Sequence, residues 1–237
     1  LLAAERHAGQ PLVIAGGQCA LNPEPLADFI DAFFLGEAEE ALPDILRIVA
    51  AAGGRHCQNR RSLLERLAAE VEGLYAPCLY ETEPNAEGFI VVRPPPGSAP
   101  RSAAGAVQPP FPLRRRIVWD LEQATMPLAP VVPLVECVHE RVTLEIQRGC
   151  PHGCRFCQSG IVCRPFRARS VATLTAVARA CWQATGYDEI GLLSLSTSDY
   201  PQFDELVAAL GRCPKDFAFS HPGGALGRRA VRLSHRA

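Results

Sequence analysis

The sequence predicts an α/β chain with two stretches of alternating strand and helix, joined through a Pro-rich connection. Three observations predict it. Short apolar runs alternate with helix-period segments between residues 11 and 52. The same alternation returns between residues 141 and 210. Between them, Pro94 to Pro110 is dominated by Pro, Gly, Ser and Ala, with little to bury.

In the first stretch, Pro11-Leu-Val-Ile-Ala15 reads as a buried strand ending at the turn Gly16-Gly17. Asn22-Pro-Glu-Pro25 opens a helix, since Pro is tolerated in a first turn. Ile30 to Leu35 reads as a second strand, and Gly36-Glu-Ala-Glu-Glu40 leads into a helix reaching about Ala52. This order is that of a parallel sheet, incomplete within residues 1–55. Residues 56–135 form a connecting region. Leu63, Leu64, Leu67 and Val71 carry helical spacing over Arg60 to Glu72, and Leu74–Tyr80 and Gly88–Val92 read as strands. The Pro-rich linker at about 94–110 follows.

In the second stretch, residues 136–237, Arg141 to Gln147 is a strand aimed at Cys150. Ser170 is a suitable N-cap for a helix over Val171 to Thr185. Glu189 to Leu195 is the next strand, Ser196 to Pro201 a polar turn, and Gln202 to Leu210 a helix. Strand, cysteine loop, helix, strand, helix is the start of a (β/α) barrel or an open parallel sheet. After about residue 214 neither period persists, and Arg228, Arg229, Arg232 and Arg236 accumulate with no acidic residue after Asp216. A barrel needs more βα units than this tail supplies, and the first residue is Leu1. The chain therefore reads as truncated at both ends.

Composition narrows the function. A net charge of -1 gives no whole-chain argument for nucleic acid or an anionic membrane surface. No apolar run approaches the roughly 20 residues that span a bilayer. No basic-then-apolar leader is visible, so a cytoplasmic location is expected. There, the ten cysteines read as reduced thiols and metal ligands, not as a disulfide framework. Arginine outnumbers lysine 23 to 1, which we read as codon bias.

Three of the ten cysteines fall within Leu144-Glu-Ile-Gln-Arg-Gly-Cys-Pro-His-Gly-Cys-Arg-Phe-Cys157, spaced Cys150-x-x-x-Cys154-x-x-Cys157. A 4Fe–4S cube takes thiolates at its iron corners, and one short loop can wrap it only if the thiols lie a few residues apart. Three thiolates leave one iron open to bind a small chelating molecule. A structural zinc site is the competing reading: it needs a fourth ligand, which Cys163, His152 or Cys137 would supply. Cys19, Cys57, Cys78, Cys137, Cys181 and Cys213 are scattered and read as buried small hydrophobes, and Cys163 as a packed residue. His152 reads as exposed and non-ligating. Arg148, Arg155, Arg164, Arg167 and Arg169 surround the loop, either to offset anionic charge or as solvated surface.

The triple, with the aromatic Phe156 before its third cysteine, resembles the cluster loop of radical S-adenosylmethionine (radical SAM) enzymes. The resemblance implies a 4Fe–4S cluster on Cys150, Cys154 and Cys157 at the mouth of a partial (β/α) barrel, with SAM chelating the open iron. It implies Phe156 packed near the adenine, and an electron donor such as flavodoxin or ferredoxin. One-electron reduction would split SAM to a 5′-deoxyadenosyl radical that abstracts hydrogen from a substrate the sequence does not name. Where such enzymes often carry a Gly-Gly-Glu-like stretch for the SAM amino group, this chain has Ser194 to Asp199. Ser196 and Thr197 are the SAM-binding candidates there; the alternative is a polar turn capping the next helix.

Gly16-Gly17, Pro23-Glu24-Pro25 and Gly36-Glu-Ala-Glu39, in that order, resemble the C-terminal half of the cobalamin-binding domain that precedes many radical SAM domains. Ala38 replaces a glycine of that pattern, and no Asp-x-His-x-x-Gly cobalamin-ligand motif is present, so corrinoid binding stays open. The expected fold is then α/β: a partial Rossmann-like, cobalamin-binding-type segment followed by the first βα units of a partial (β/α) radical SAM barrel. Two other functions stay open as well. A methylthiotransferase acting on tRNA or protein would need a second three-cysteine set, for which Cys19, Cys57 and Cys78 are dispersed. A zinc-stabilised binding module would need no catalysis.

Overall fold

The structure, a computed structural model, describes residues 2–7, 9–54, 57–95, 109–135, 137, 140–187, 189–211 and 218–220. The chain divides into two compact units, Leu1–Val118 and Trp119–Ala237. Among the described residues no helix is long and apolar enough to cross a membrane. The segment 96–108 of the Pro-rich linker lies outside the described residues.

The first unit is built on three strands, β1 (Ile14–Ala15), β2 (Ala32–Phe34) and β3 (Leu74–Tyr75), in that spatial order. β1 and β2 run parallel, with Ile14 opposite Ala32; β2 and β3 run antiparallel, with Phe33 opposite Tyr75. All three residues of β2 are buried, so its apolar run shows no alternation. Helix α1 (Ala41–Ala51) turns Ala41, Ile45 and Ile48 inward, while Leu42 and Leu46 stay exposed. Helix α2 (Arg60–Glu70) starts at Asn59, whose side chain accepts from the Ser62 amide at 2.9 Å. It buries Leu63, Leu64, Leu67 and Ala68 in the core that also holds Phe33, Phe34, Leu74 and Tyr75. Each fully buried leucine of this set contributes about 1.5–3 kcal/mol. Strands β4 (Glu81–Pro84) and β5 (Ile90–Arg93) form a hairpin whose loop is held by the Asn85 side chain.

Prolines account for two departures from the sequence expectation. Asn22 to Pro25 opens only a 3-10 turn, Glu24–Leu26, because the chain must re-enter the sheet at Ala32. The strand expected over Leu74–Tyr80 stops at Tyr75, where Pro77, which lacks an amide donor, begins the 3-10 turn Pro77–Leu79. The unit is also not purely parallel, since β3 is reversed.

Gly36 to Glu40 receives the chain near residue 116. Arg116 donates its amide to Leu35 O at 2.9 Å and accepts from the Glu37 amide at 3.0 Å. The Val118 amide donates to the Glu37 carboxylate at 2.8 Å, and the Arg116 guanidinium pairs with Glu40 at 3.0 Å. A β-carbon on Gly36, at φ 130°, would lie 2.1 Å from Arg116 O, so only glycine fits.

The second unit holds a three-stranded parallel sheet, β6 (Val142–Glu145), β9 (Glu189–Leu193) and β10 (Ala218–Ser220), with neighbours in chain order. Strands β7 (Gln147–Arg148) and β8 (Arg167–Ala168) pair antiparallel within the stretch of chain that links β6 to β9. A short helix α3 (Ser159–Val162) lies inside the segment they close. Helix α4 (Val171–Thr185) runs from Ser170, whose hydroxyl accepts from the Thr173 amide at 3.2 Å, to Gly186 at φ 72°. Helix α5 (Phe203–Leu210) follows β9. Val142, Leu144, Ile190 and Leu192 form one core with Leu174, Ala178, Leu206 and Leu210. Alternation along β6 sends Thr143 and Glu145 to the other face. The sequence placed an aperiodic tail after about residue 214, yet Ala218–Ser220 adds a third parallel strand. Residues 212–217 and 221–237, with Cys213 and the four tail arginines, lie outside the described residues.

Candidate functional site

The cysteine loop leaves the C-terminal end of the first parallel strand, and its base is closed by the β7–β8 ladder, Gln147 opposite Ala168 and Arg148 opposite Arg167. Gly149 makes the exit turn at φ 78°, a conformation that costs a side-chain-bearing residue about 1–3 kcal/mol. Cys154 and Cys157 bracket a tight turn in which the Cys157 amide donates to Cys154 O at 3.1 Å. α3 then begins, and the Gly160 amide donates to Cys157 Sγ at 3.3 Å. Arg164 ties the two arms of the loop together, donating from Nε to Gly160 O and from Nη2 to His152 O, each at 3.0 Å.

Cys150 and Cys157 are half-buried, Cys154 is exposed, and all three thiols are free. As a donor set they suit an iron–sulfur cluster: three thiols on one polar loop, one of them already accepting an amide hydrogen bond of the kind that steadies a thiolate. Among the described residues no group of three or more His, Cys, Asp or Glu side chains is gathered to hold a metal ion. The three thiols therefore share a loop without converging on one point, and Cys19, Cys57 and Cys78 form no such group either. Phe156 is 90% exposed at the loop tip.

Ser196 and Thr197 sit in the loop after β9. The Ser196 hydroxyl donates to the Asp199 carboxylate, and Thr197, buried, shares a hydrogen bond of 2.8 Å with Ser194. Both hydroxyls are thus used inside the loop. Asp199 also meets His152 of the cysteine loop, Oδ2 to Nε2, at 2.7 Å. The Ser196 and His152 hydrogen bonds hold the Asp199 carboxyl below the usual carboxylate range.

Several contacts here were not expected from the sequence. His152 is exposed, as read, but it is paired with Asp199. Gln147 is buried and donates from Nε2 to Ser196 O at 2.6 Å. Of the surrounding arginines, Arg148 is committed to Glu145 at 2.8 Å, and Arg167 donates to Pro165 O at 3.2 Å. Arg169 is fully buried and donates to Leu121 O and Ala124 O. These arginines brace the protein's own backbone and carboxylates. Arg155 stands exposed beside Phe156. The scattered cysteines also divide: Cys181 is buried, with its thiol pushed up by burial and aimed at Pro127 O. Cys57 and Cys163 are half-buried, while Cys19, Cys78 and Cys137 are exposed, against the expectation of burial.

Residues 1–77 match the family described as "Radical SAM proteins, N-terminal", and residues 144–236 match the "Radical SAM superfamily". No curated protein and no solved structure matches the chain. The second match contains the whole cysteine loop, the loop after β9, strands β9 and β10, and the last two residues of β6. The family implies a 4Fe–4S cluster and S-adenosylmethionine. With a radical SAM N-terminal match ahead of a radical SAM match, the chain resembles radical SAM proteins over both segments, and that resemblance indicates an enzyme.

Proposed function

We propose that Cys150, Cys154 and Cys157 hold a 4Fe–4S cluster with one iron left open, and that the protein cleaves S-adenosylmethionine reductively to start hydrogen abstraction from a substrate. The observation that supports this most is the placing of three free thiols on one loop at the C-terminal end of the first strand of a parallel sheet. In parallel α/β folds that end of the strands is where ligands sit. We read the sheet β6-β9-β10, with α4 and α5 on its connections, as the first units of a partial (β/α) barrel.

When bound, the cluster supplies the electron and the open iron supplies the chelation site for SAM; that chemistry belongs to the cofactors. The chain's own residues bind and orient. Gly149 sets the exit of the loop, the Gly160 amide steadies the Cys157 sulfur, and Arg164 holds the arms of the loop in register. Phe156, exposed on the loop tip, offers an apolar surface to the adenine. Because the hydroxyls of Ser196 and Thr197 are committed to Asp199 and Ser194, their part is to shape the loop facing SAM. A one-electron donor of the flavodoxin or ferredoxin kind completes the reaction.

The finer reading of the first unit as a corrinoid-holding segment rests on its ordered glycine and glutamate pattern. Gly36 and Glu37 are accounted for by the segment at Arg116–Val118, which leaves Gly16 and Gly17 as the positions of close ligand approach. Cobalamin uptake by the full chain, read from its absorption spectrum, tests that part separately.

The test of the main reading is anaerobic reconstitution with iron and sulfide, followed by SAM and dithionite. The expected product is 5′-deoxyadenosine. A chain that carries a full cluster yet releases no 5′-deoxyadenosine would overturn the assignment.

A further inference from the structure

Two side chains fasten the loop after β9. At its start, the Gln147 amide, 2% exposed, donates to Ser196 O at 2.6 Å. At its end, Asp199 meets His152 at 2.7 Å; an ionised carboxylate only accepts, so the imidazole donates. Between them, Ser196 donates to Asp199, and the buried Thr197 bonds Ser194 at 2.8 Å. His152 lies between Cys150 and Cys154. A continuous line of side-chain contacts therefore runs from the strand entering the cysteine loop, across the Ser194–Asp199 loop, and back into the cysteine loop. The arrangement carries a penalty at Gln147, whose Oε1 is buried without a hydrogen-bond partner. An apolar residue would pack at that position without the penalty, so the polar one is explained by what its other half holds.

We propose that the Ser194–Asp199 loop is a positioning device for the cysteine loop: Gln147 fixes the device and Asp199 transmits its position to His152. The inference rests on the proposed function only for what the cysteine loop carries; the coupling of the two loops stands without it. Asp199, Gln147 and His152 are positioning residues in this account.

The test has two arms, both on the full chain. In the first, hydrogen–deuterium exchange compares the metal-free parent with Asp199→Ala, Asp199→Asn and Gln147→Leu. Loss of the exposed hydrogen bond between His152 and Asp199 predicts amide exchange over residues 150–158 faster by about two- to fivefold in Asp199→Ala. Asp199→Asn keeps a side-chain oxygen able to accept from both His152 and Ser196, so that variant retains parental protection. Gln147→Leu speeds exchange over both 194–199 and 150–158. α4, residues 171–185, keeps parental rates throughout. In the second arm, the reconstituted proteins are exposed to a ferrous chelator, and Asp199→Ala loses iron faster than the parent by a similar factor while Asp199→Asn does not. Unchanged exchange over 150–158 in Asp199→Ala would overturn the inference. So would equal loosening of α4, which signals general destabilisation, or failure of Asp199→Asn to rescue. If the parent takes up no iron, the reading of the site fails, and the first arm still decides the coupling.

Discussion

A β-carbon built on Gly149 would lie 2.5 Å from the carbonyl oxygen of Pro165. The two arms of the cysteine loop approach this closely because Gly149, at φ 78°, turns the chain out of the sheet just where the return arm enters. Gly149→Ala therefore adds a steric clash to backbone strain of about 1–3 kcal/mol. We expect a lower denaturation midpoint and less iron and sulfide per reconstituted chain than in the parent. Parental values for both would show that the exit turn tolerates a side chain.

Arg169 is a buried brace of the second unit. Its Nη1 donates to Leu121 O at 2.7 Å and to Ala124 O at 2.8 Å, and Nη2 lies 3.4 Å from the Glu145 carboxylate. Tyr200 donates its hydroxyl to Arg169 O at 2.7 Å. Arg169→Met keeps the bulk but removes the guanidinium donor from both carbonyls, leaving Leu121 O with the Ala124 amide, and we expect a loss of about 3 kcal/mol. Arg169→Lys should rescue little, since one ammonium cannot reproduce the fork. Urea denaturation of the full chain, followed by the fluorescence of Trp119 and Trp182, measures both.

Glu122 makes part of that stability depend on pH. Burial alone would raise its carboxyl, but hydrogen bonds from the Thr173 hydroxyl and from Ser170 outweigh it and hold the carboxyl below its ordinary value. A depressed folded value means the stabilisation is complete above the unfolded carboxyl value, about 4.3, and is lost as pH falls through the lower folded value. The melting temperature of the parent should exceed that of Glu122→Gln at pH 7, and the gap should close on acidification below pH of about 4. A gap that widens on acidification would contradict the assignment.

Asp31 joins separate segments of the first unit. It is buried, and it accepts from the Val13 amide at 2.8 Å, from Arg6 at 3.1 Å and from Arg60 at 2.8 Å. Asp31→Ala strips one carboxylate from two cations, and we expect a cost of about 3 kcal/mol in chemical denaturation. A change under about 0.5 kcal/mol, the range of ordinary surface substitutions, would contradict this account.

What the sequence revealed and what it hid divide by range. α4 was legible to the residue, because Ser170 caps it and Leu174, Val177 and Cys181 repeat on one face, all within a few turns. α2 was legible from the spacing of Leu63, Leu64 and Leu67, although the expected end at Glu72 overran the observed end at Glu70, and its Asn59 cap was not read. The strand at Ala218–Ser220 was not: it is defined by pairing with β9, and nothing local in the basic tail announces it. At the site, the three thiols were visible because they lie within eight residues of one another. The Asp199–His152 contact joins positions 47 residues apart and leaves no local pattern. Arg169 was grouped with the other arginines of the loop because composition does not separate a buried guanidinium from a solvated one; only the carbonyls of Leu121 and Ala124 identify it.

The most direct measurement is the iron and acid-labile sulfide bound per chain after anaerobic reconstitution, taken for the parent and for Cys150→Ala, Cys154→Ala and Cys157→Ala. The account predicts about four of each in the parent, with a brown chromophore, and a marked loss in every variant. A colourless parent with one zinc per chain, or a variant that keeps the parental iron, sulfide and spectrum, would contradict it.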